Sequence, residues 1–359
     1  MQESRTVTPQ AGPSLTLDAL DQALVHALQI SPRAPWSALA PVLGVDAGTV
    51  ARRWQRLHEA GAAWVTCYPG PAMVEFGAGC IAFIEVDCAN GGLLRAAEEL
   101  AAQPFVLTVE HVTGARDLLL TVHAADLPTL SRWVTLTLGA MPDIVASRTH
   151  LAGTIHAEGS RWRFRSLSQE QVRRLAARAP HPATRSFSPG TVGELDRAIS
   201  TELSVDARVS YAALAERLGA APDTIRRRVN RLFGTGRLQA RCEVARPLSE
   251  WPVAALLWAQ APPLALTEAA GAITGMREVR LCAAVTGRDN LLIVGWVRSV
   301  EDAHRFEARV AERAPQIAIT DRAITLWPVK LSGHLLDQRG YRIGAVPLDP
   351  WGPMGSAAA

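Results

Sequence analysis

Residues 20–61 and 195–236 are two copies of one segment. Laid side by side, LDQALVHALQISPRAPWSALAPVLGVDAGTVARRWQRLHEAG and LDRAISTELSVDARVSYAALAERLGAAPDTIRRRVNRLFGTG match without a gap at a constant offset of 175. Asp21 pairs with Asp196, Leu28 with Leu203, Arg33 with Arg208, Trp36 with Tyr211, Gly44 with Gly219, Thr49 with Thr224, Arg52 and Arg53 with Arg227 and Arg228, Arg56 with Arg231, and Gly61 with Gly236. Unrelated amphipathic segments drift out of phase, and these do not. The chain is a tandem duplication, so any fold assigned to one copy must also suit the other. A weaker echo follows each copy: VTGARDLLLTVHAAD from Val112 resembles VTGRDNLLIVGWVRS from Val285, at an offset of 173. Two halves result, about 1–150 and 192–330.

Within each copy the apolar residues recur at helical spacing, Leu20, Leu24 and Leu28 in one and Leu195, Ile199 and Leu203 in the other. A second short helix is predicted over about Ser37 to Leu43 and Tyr211 to Leu218. Gly44 or Gly219 follows, where a helix C-terminus takes a positive φ that a Cβ would resist. The third helix starts at once, with Asp46 as N-cap in the first copy and Pro222 at the first helical position in the second. Two short helices joined by a glycine turn, the second rich in Thr and Arg, form the pattern of a DNA-reading helix-turn-helix. Val50, Trp54 and Leu57, like Ile225, Val229 and Leu232, supply the stripe that docks inward. The opposite arc carries the candidate DNA-binding residues: Thr49, Arg52, Arg53 and Arg56 in one copy, Thr224, Arg226, Arg227, Arg228 and Arg231 in the other. Guanidinium groups there neutralise phosphates and pair bidentately with guanine edges. An arginine-rich face can also be merely solvated; its repetition behind the same glycine favours the DNA reading. Residues 47–67 carry three Arg and one Glu, whereas 221–241 carry six Arg and one Asp, so the second copy is expected to dominate affinity. RLQARCEV alternates after it and reads as a strand, a wing beside the duplex.

The rest of each half alternates short β-like and helical runs. CIAFIEVD, LLRAAEELAAQ, FVLTVEHVTG, DLLLTVHA, LSRWVTLTLGAM and DIVASRTHLA are matched in order by VAALLWAQA, LALTEAAGAIT, EVRLCAAVTG, NLLIVGWV, VEDAHRFEARVAER and QIAITDRAITL. Strand, helix, strand, strand, helix, strand is the ferredoxin-like βαββαβ plan, an α+β fold with two helices on one face of an antiparallel sheet. The bare face needs a cover, and the sheet of the other half is the simplest one, which makes the chain an internal pseudo-dimer. The expected organisation is a disordered tail over 1–16, a helix-turn-helix domain over 17–66, a ferredoxin-like domain over 67–152, a linker over 153–191, a second helix-turn-helix domain over 192–244, a second ferredoxin-like domain over 245–330 and a C-terminal tail over 331–359. In the linker, Ser168 with Gln171 three residues later is a capping-box pattern, and Pro180 and Pro182 close the helix. The tail GYRIGAVPLDPWGPMGSAAA is rich in Gly, Pro and Ala and either orders on contact or stays disordered.

Composition excludes more than it assigns. The 37 basic against 34 acidic side chains give a net charge of +3, too mild to name a partner by itself. Five cysteines, Cys67, Cys80, Cys88, Cys242 and Cys282, form no CxxC pair and read as reduced thiols of a cytoplasmic protein rather than disulfides or a metal site. The polar opening MQESRTVTPQAGPS lacks the apolar segment of a secretory leader, and no apolar run reaches the roughly 18 residues of a membrane span. HExxH, GxSxG, Walker and Cys/His metal spacings are missing, so no catalytic residue, metal or cofactor is assigned.

A helix-turn-helix opening on Leu-Asp, a linking strand and a βαββαβ domain containing Val-Thr-Gly-x-x-Asp-Leu-Leu together resemble the leucine-responsive regulator/AsnC (Lrp/AsnC, feast/famine) family, twice, from Leu17 to Lys330. The resemblance implies a sequence-specific transcription regulator that binds double-stranded DNA. It also implies that the second domain of each half (often called RAM) dimerises, builds further homo-oligomers and senses a small effector, an amino acid or related metabolite. The family's effector turn maps onto Thr113, Gly114 and Asp117, and onto Thr286, Gly287 and Asn290. The glycine there brings backbone amides near a carboxylate, and an acidic side chain holds an ammonium group; a plain tight turn between strands explains the same residues. Departures from the family pattern are Asp46 and Ala221 in place of the Ser before the reading helix, Ala51 where Arg226 stands in the second copy, and Asn290, which lacks the charge of Asp117. Two other readings remain open. Siroheme-decarboxylase-like enzymes resemble this family in fold and surround a tetrapyrrole with histidines and arginines; His111 and His123 would serve, although their repeat partners are Ala284 and Trp296. A ligand-sensing or oligomerisation module that does not bind DNA is the third.

Overall fold

The computed structural model describes residues 15–70, 79–177 and 192–354. Most of the tail expected over 1–16, the helix-closing Pro180 and Pro182, and the final five residues lie outside them. Each helix-turn-helix forms as its residues dictate. α1 (Ala19–Ile30) begins with a capping box in which Asp18 and Asp21 satisfy each other's backbone amides. α2 (Trp36–Leu43) ends on Gly44 at φ +71°, and α3 (Ala47–Glu59) is capped by the Asp46 side chain on the Thr49 amide. A strand, β1 (Ala63–Pro69), follows and is buried along its whole length.

The first ferredoxin-like unit runs β2 (Cys80–Cys88), α4 (Leu93–Ala101), β3 (Val106–Val112), β4 (Leu118–Ala124), α5 (Leu127–Leu136) and β5 (Ile144–Ala157). α6 (Gln169–Ala176) carries the expected capping box between Ser168 and Gln171. The second half repeats the order: α7 (Glu194–Val205), α8 (Tyr211–Leu218), α9 (Pro222–Gly234), β6 (Leu238–Val244), β7 (Val253–Gln260), α10 (Leu266–Thr274), β8 (Val279–Val285), β9 (Leu291–Val297), α11 (Val300–Arg313) and β10 (Ala318–Leu331). Gly219 ends α8 at φ +61°, as Gly44 ends α2. Among the described residues no helix is long and apolar enough to cross a membrane.

The two four-stranded sheets, ordered β3-β4-β2-β5 and β8-β9-β7-β10, join edge to edge. β5 pairs with β8, with Ala152 opposite Val285, and β10 pairs with β3, with Thr325 opposite Val112. Because β10 also pairs with β7, the strands form a closed ring with no free edge between the halves. The bare faces that needed a cover therefore face each other inside it. Ile81, Phe83, Val112 and Leu119 meet Leu256, Trp258, Val285 and Leu292 there. The four helices of these units pack on the outside, around Leu100 and Trp133 in one half and Ile273 and Phe306 in the other. This is the predicted pseudo-dimer, in a geometry where each half completes the other's sheet.

The helix-turn-helix domains are equally merged. β1 and β6 pair antiparallel, and both three-helix units share one core. Arg33 donates to the carbonyls of Ala207 and Val209, while its repeat counterpart Arg208 donates to those of Pro32 (2.6 Å) and Ala34 (3.0 Å). Arg208 lies 3.7 Å above the Trp36 ring and Arg33 4.9 Å from that of Tyr211. β6 is consequently not a wing beside a duplex: its ladder partner is β1, and it is largely buried. Periodicity found the strand; its partner lies 175 residues away, beyond the reach of a local pattern.

Two boundaries also move. β5 continues to Ala157, into the stretch expected as linker, because its far end pairs with β8. The C-terminal tail expected over 331–359 is ordered through residue 354: β11 (His334–Leu336) and β12 (Arg342–Ala345) extend the sheet beyond β10. The tail binds the helix-turn-helix pair through Arg342 N to Gly61 O (2.9 Å), Leu348 N to Ser204 Oγ (2.8 Å) and a two-point contact of Arg197 with Asp349. Gly61 (φ +64°) is needed at that seam, since a Cβ there would stand 2.2 Å from the Arg342 carbonyl oxygen.

Candidate nucleic-acid interface and sensor turns

The reading helices α3 and α9 are amphipathic in the way their sequences require: Val50, Trp54 and Leu57, and Ile225, Val229 and Leu232, are buried in the shared core. That fixes the opposite arc outward, yet the arginines on it divide into two sets. Arg53 Nη1 lies 2.9 Å and Arg56 Nη2 2.5 Å from the two carboxylate oxygens of Asp21. In the second copy Arg228 and Arg231 hold Asp196 in the same way, at 2.9 and 2.6 Å. The aspartate side chains are only 1% and 4% exposed, so each is a buried carboxylate whose charge two guanidiniums neutralise. Arg53 also reaches Asp18 at 2.6 Å, and that contact holds the Asp18 carboxyl below its ordinary value. Of the seven arginines expected on the outward arcs of the two helices, four therefore also clamp the reading helix to the first helix of its own domain. The repeat alignment already matched Asp21 with Asp196; only the folded arrangement gave the pair a role.

The second set points to solvent. Arg52 is exposed and donates to Thr49 Oγ1 (3.1 Å), which in turn donates to Asp46 (2.6 Å). Arg226 makes an exposed pair with Asp223 (3.0 Å), worth little at a surface. Arg227 is exposed and Thr224 half-buried, with no side-chain hydrogen bond or ion pair to other described residues. The solvent-facing cationic surface is therefore Arg52 on α3 and Arg226 with Arg227 on α9, still asymmetric toward the second copy. The reciprocal arginines Arg33 and Arg208 hold the two helices in a fixed mutual geometry.

The turns expected to meet the effector sit at the two seams of the ring. Thr113 donates its amide to Ile324 O and accepts the Ile324 amide at Oγ1, both at 2.9 Å; Thr286 makes the same pair of bonds with Leu151. Gly114 and Gly287 take φ +99° and +126°. Asp117 accepts the Cys88 amide (2.7 Å), while Asn290 accepts the Ala261 amide (2.9 Å) and also donates to the Ala261 carbonyl (2.8 Å). Asn290 thus keeps the tie that Asp117 makes, without its charge. Thr113 borders a cavity of about 120 Å³ with His304, Glu307 and Arg322.

His111 and His123 do not converge. His111 stands opposite Leu118, on the helix-covered face, whereas His123 stands opposite Ile81, on the face inside the ring. His123 is fully buried, neither ring nitrogen has a partner, and burial pulls its pKa down to about 4.

Composition and local pattern gave no sign of one further group. Arg241 and Arg280 together hold the buried Glu243, with Arg280 at 2.6 Å. Tyr68 donates to Glu158 (2.6 Å) beside them.

Comparison with known proteins bears on the same regions. The model of the AsnC-type helix-turn-helix domain matches residues 17–58 and 194–232, and that of the Lrp/AsnC ligand binding domain matches residues 81–160. An uncharacterized HTH-type transcriptional regulator of Pyrococcus abyssi is 28% identical over 142 residues, which is 39% of this chain and 89% of its own length. The HTH-type transcriptional regulator AldR of Mycolicibacterium smegmatis is 30% identical over 138 residues, 38% of this chain and 80% of its own. These relatives correspond to one half of the duplicated chain. The siroheme decarboxylase NirDL, solved in complex with an iron-uroporphyrin III analogue, covers 93% of this chain and 96% of its own at TM-score 0.57 and 14% identity. At that identity the likeness concerns the fold alone: one other chain takes the same arrangement almost from end to end.

Proposed function

The chain belongs to the Lrp/AsnC family of helix-turn-helix proteins, and on that premise we propose that it is a sequence-specific DNA-binding transcriptional regulator whose paired domains act as one reading unit. The observation that carries this reading is the outward set Thr49, Arg52, Thr224, Arg226 and Arg227, on two helices whose inner faces share one core. Helices locked to each other in this way favour two sites on one duplex at a set spacing, as in a symmetric dimer, with one chain supplying both. Arg53, Arg56, Arg228 and Arg231 keep partial exposure and add positive charge beside the backbone while they hold the helices in place.

The effector is a small metabolite of the amino-acid class in this reading. Bound at Thr113, Gly114 and Asp117, or at Thr286, Gly287 and Asn290, it would act on the seams that close the ring, and through them on the association of further copies. The protein works in the cytoplasm without a cofactor. An enzymatic role on a tetrapyrrole receives less support, since His111 and His123 lie on opposite faces of their sheet.

The test is recovery and footprinting of genomic DNA bound by the full chain, followed by anisotropy titration of the recovered fragment at several salt concentrations. Affinity should fall steeply and linearly on a log-log plot as salt rises. A chain that shifts no genomic fragment even at low salt is a sensing or assembly module, and binding of a tetrapyrrole with its decarboxylation would make it an enzyme.

A further inference from the structure

Between the β1–β6 ladder and the end of the ring nearest to it lies a cavity of about 150 Å³. Its apolar wall is Ile81, Phe83, Leu107, Ile155, Leu281 and Val294. Its polar groups are mostly satisfied within the protein. Arg241 and Arg280 share Glu243, Arg241 donates to Ser332 Oγ (2.8 Å), and Glu158 accepts from Tyr68. Arg246 is the exception. It is 9% exposed, it lines this cavity, and its guanidinium makes no hydrogen bond or ion pair with any described residue. Glu110 faces the same space, with Thr325 Oγ1 donating to one of its oxygens at 3.0 Å, and does not reach Arg246 as an ion pair. Burial pulls the Arg246 pKa down, with Glu110 and Glu243 opposing it at a distance.

A guanidinium nine-tenths buried, facing a cavity and without an acceptor among the described residues, keeps its donors free for a ligand, and the best-matched partner is a carboxylate, bound through two parallel N–H donors. We propose that this cavity binds a small organic acid, a carboxylate on a short apolar body, with the carboxylate on Arg246 and the body against Ile81, Phe83 and Leu107. Glu110 offers a second contact to any ligand that also carries an ammonium group, so an α-amino acid is the better-matched form of the class. The site is separate from the sensor turns and occurs once per chain, because the repeat counterpart of Arg280 is Leu107 and that of Arg241 is Thr66. It touches the helix-turn-helix ladder on one side and the ring on the other, so its occupant contacts the DNA-reading unit and the sheet together.

The experiment uses the full chain without DNA, with leucine, 4-methylpentanoate and leucinamide as probes in calorimetric titration and thermal melting. Leucine or 4-methylpentanoate should bind and raise the melting temperature, and leucinamide, which lacks the carboxylate, should not. Arg246→Met should weaken binding by roughly tenfold or more and should raise the melting temperature of the ligand-free protein by about 2–4 °C, since it removes a buried unpartnered charge. Binding of leucinamide alone, absence of binding by all three, or a ligand-free Arg246→Met protein that melts lower than wild type would overturn the proposal. DNA binding is read separately, so a chain that binds DNA and no acid sinks only this site, and one that binds acid through Arg246 and no DNA sinks only the regulator.

Discussion

Thr66 and Arg241 hold the same place in the two repeats and lie opposite each other in the β1–β6 ladder. The pseudo-twofold axis of the chain therefore passes between them. Both donate to Ser332, Thr66 to its carbonyl at 2.9 Å and Arg241 to its hydroxyl at 2.8 Å. Two identical chains could not place a threonine against an arginine on their axis. Duplication within one chain permits it, and the same freedom sets Tyr68 against Glu243, Leu107 against Arg280 and His123 against Trp296 as repeat counterparts. The internal surface near the axis has changed in chemical character, while the equivalent core positions, such as Leu28 and Leu203 or Trp54 and Val229, stay apolar.

The clamps on Asp21 and Asp196 predict a stability effect separable from DNA binding. Asp196→Asn leaves Arg228 and Arg231 without their shared carboxylate and should lower the unfolding free energy by about 1–3 kcal/mol, less than a fully buried pair because the arginines are partly solvated. Asp21→Asn should do the same. Urea denaturation measures both, and no change in midpoint would mean that the clamps are incidental.

Arg227 and Arg52 are the matching outward arginines. Arg227→Ala and Arg52→Ala should leave stability within about 0.5 kcal/mol of wild type and lower the salt slope of DNA binding by about one. The loss should be larger for Arg227, whose neighbours add to the local charge. Anisotropy titration at one salt concentration compares them, and equal losses would mean that the two copies read DNA equally.

Arg33 and Arg208 join the two helix-turn-helix units. Arg208→Ala removes two donors to backbone carbonyls and the stack on Trp36 and should cost about 2 kcal/mol. Hydrogen exchange should speed up at the Pro32–Trp36 connection before it does in the ring. Uniform acceleration across the chain would show that the units are not held by this contact.

His26, His123 and His334 are buried, with pKa values pulled down to about 4 by burial, in His26 also by Arg163. Their ordinary value is near 6.5, so the unfolded chain takes up protons between pH 6.5 and 4 that the folded chain refuses. The stability that depends on these histidines is therefore complete above about pH 6.5 and falls through that window, by up to roughly 3 kcal/mol per histidine. Urea midpoints at pH 7 and pH 5 read the loss. His123→Phe, which replaces an imidazole with no hydrogen-bond partner, should flatten the slope; an unchanged slope would assign the loss elsewhere.

The amino-acid sequence by itself determined whatever depends on neighbours along the chain. The Leu20, Leu24, Leu28 stripe, the glycine elbows at Gly44 and Gly219, the Asp46 cap and the Ser168–Gln171 box are all complete within a few residues, and the gapless repeat doubled the information for each. The order of strands and helices in both ferredoxin-like units followed from the same local periodicities. Tertiary structure alone decided which edges meet and which charges are free. β6 could have stood as a wing until β1 paired with it, and Arg228 looked like Arg227 until Asp196, 32 residues earlier, was packed beneath it. The residues from 331 to 354 carry too little periodicity to predict order, yet the contacts at Gly61 and Ser204 hold them in place. Edge pairing, buried ion pairs and cavities arise between segments far apart in sequence, and their energy exists only once the chain has brought those segments together.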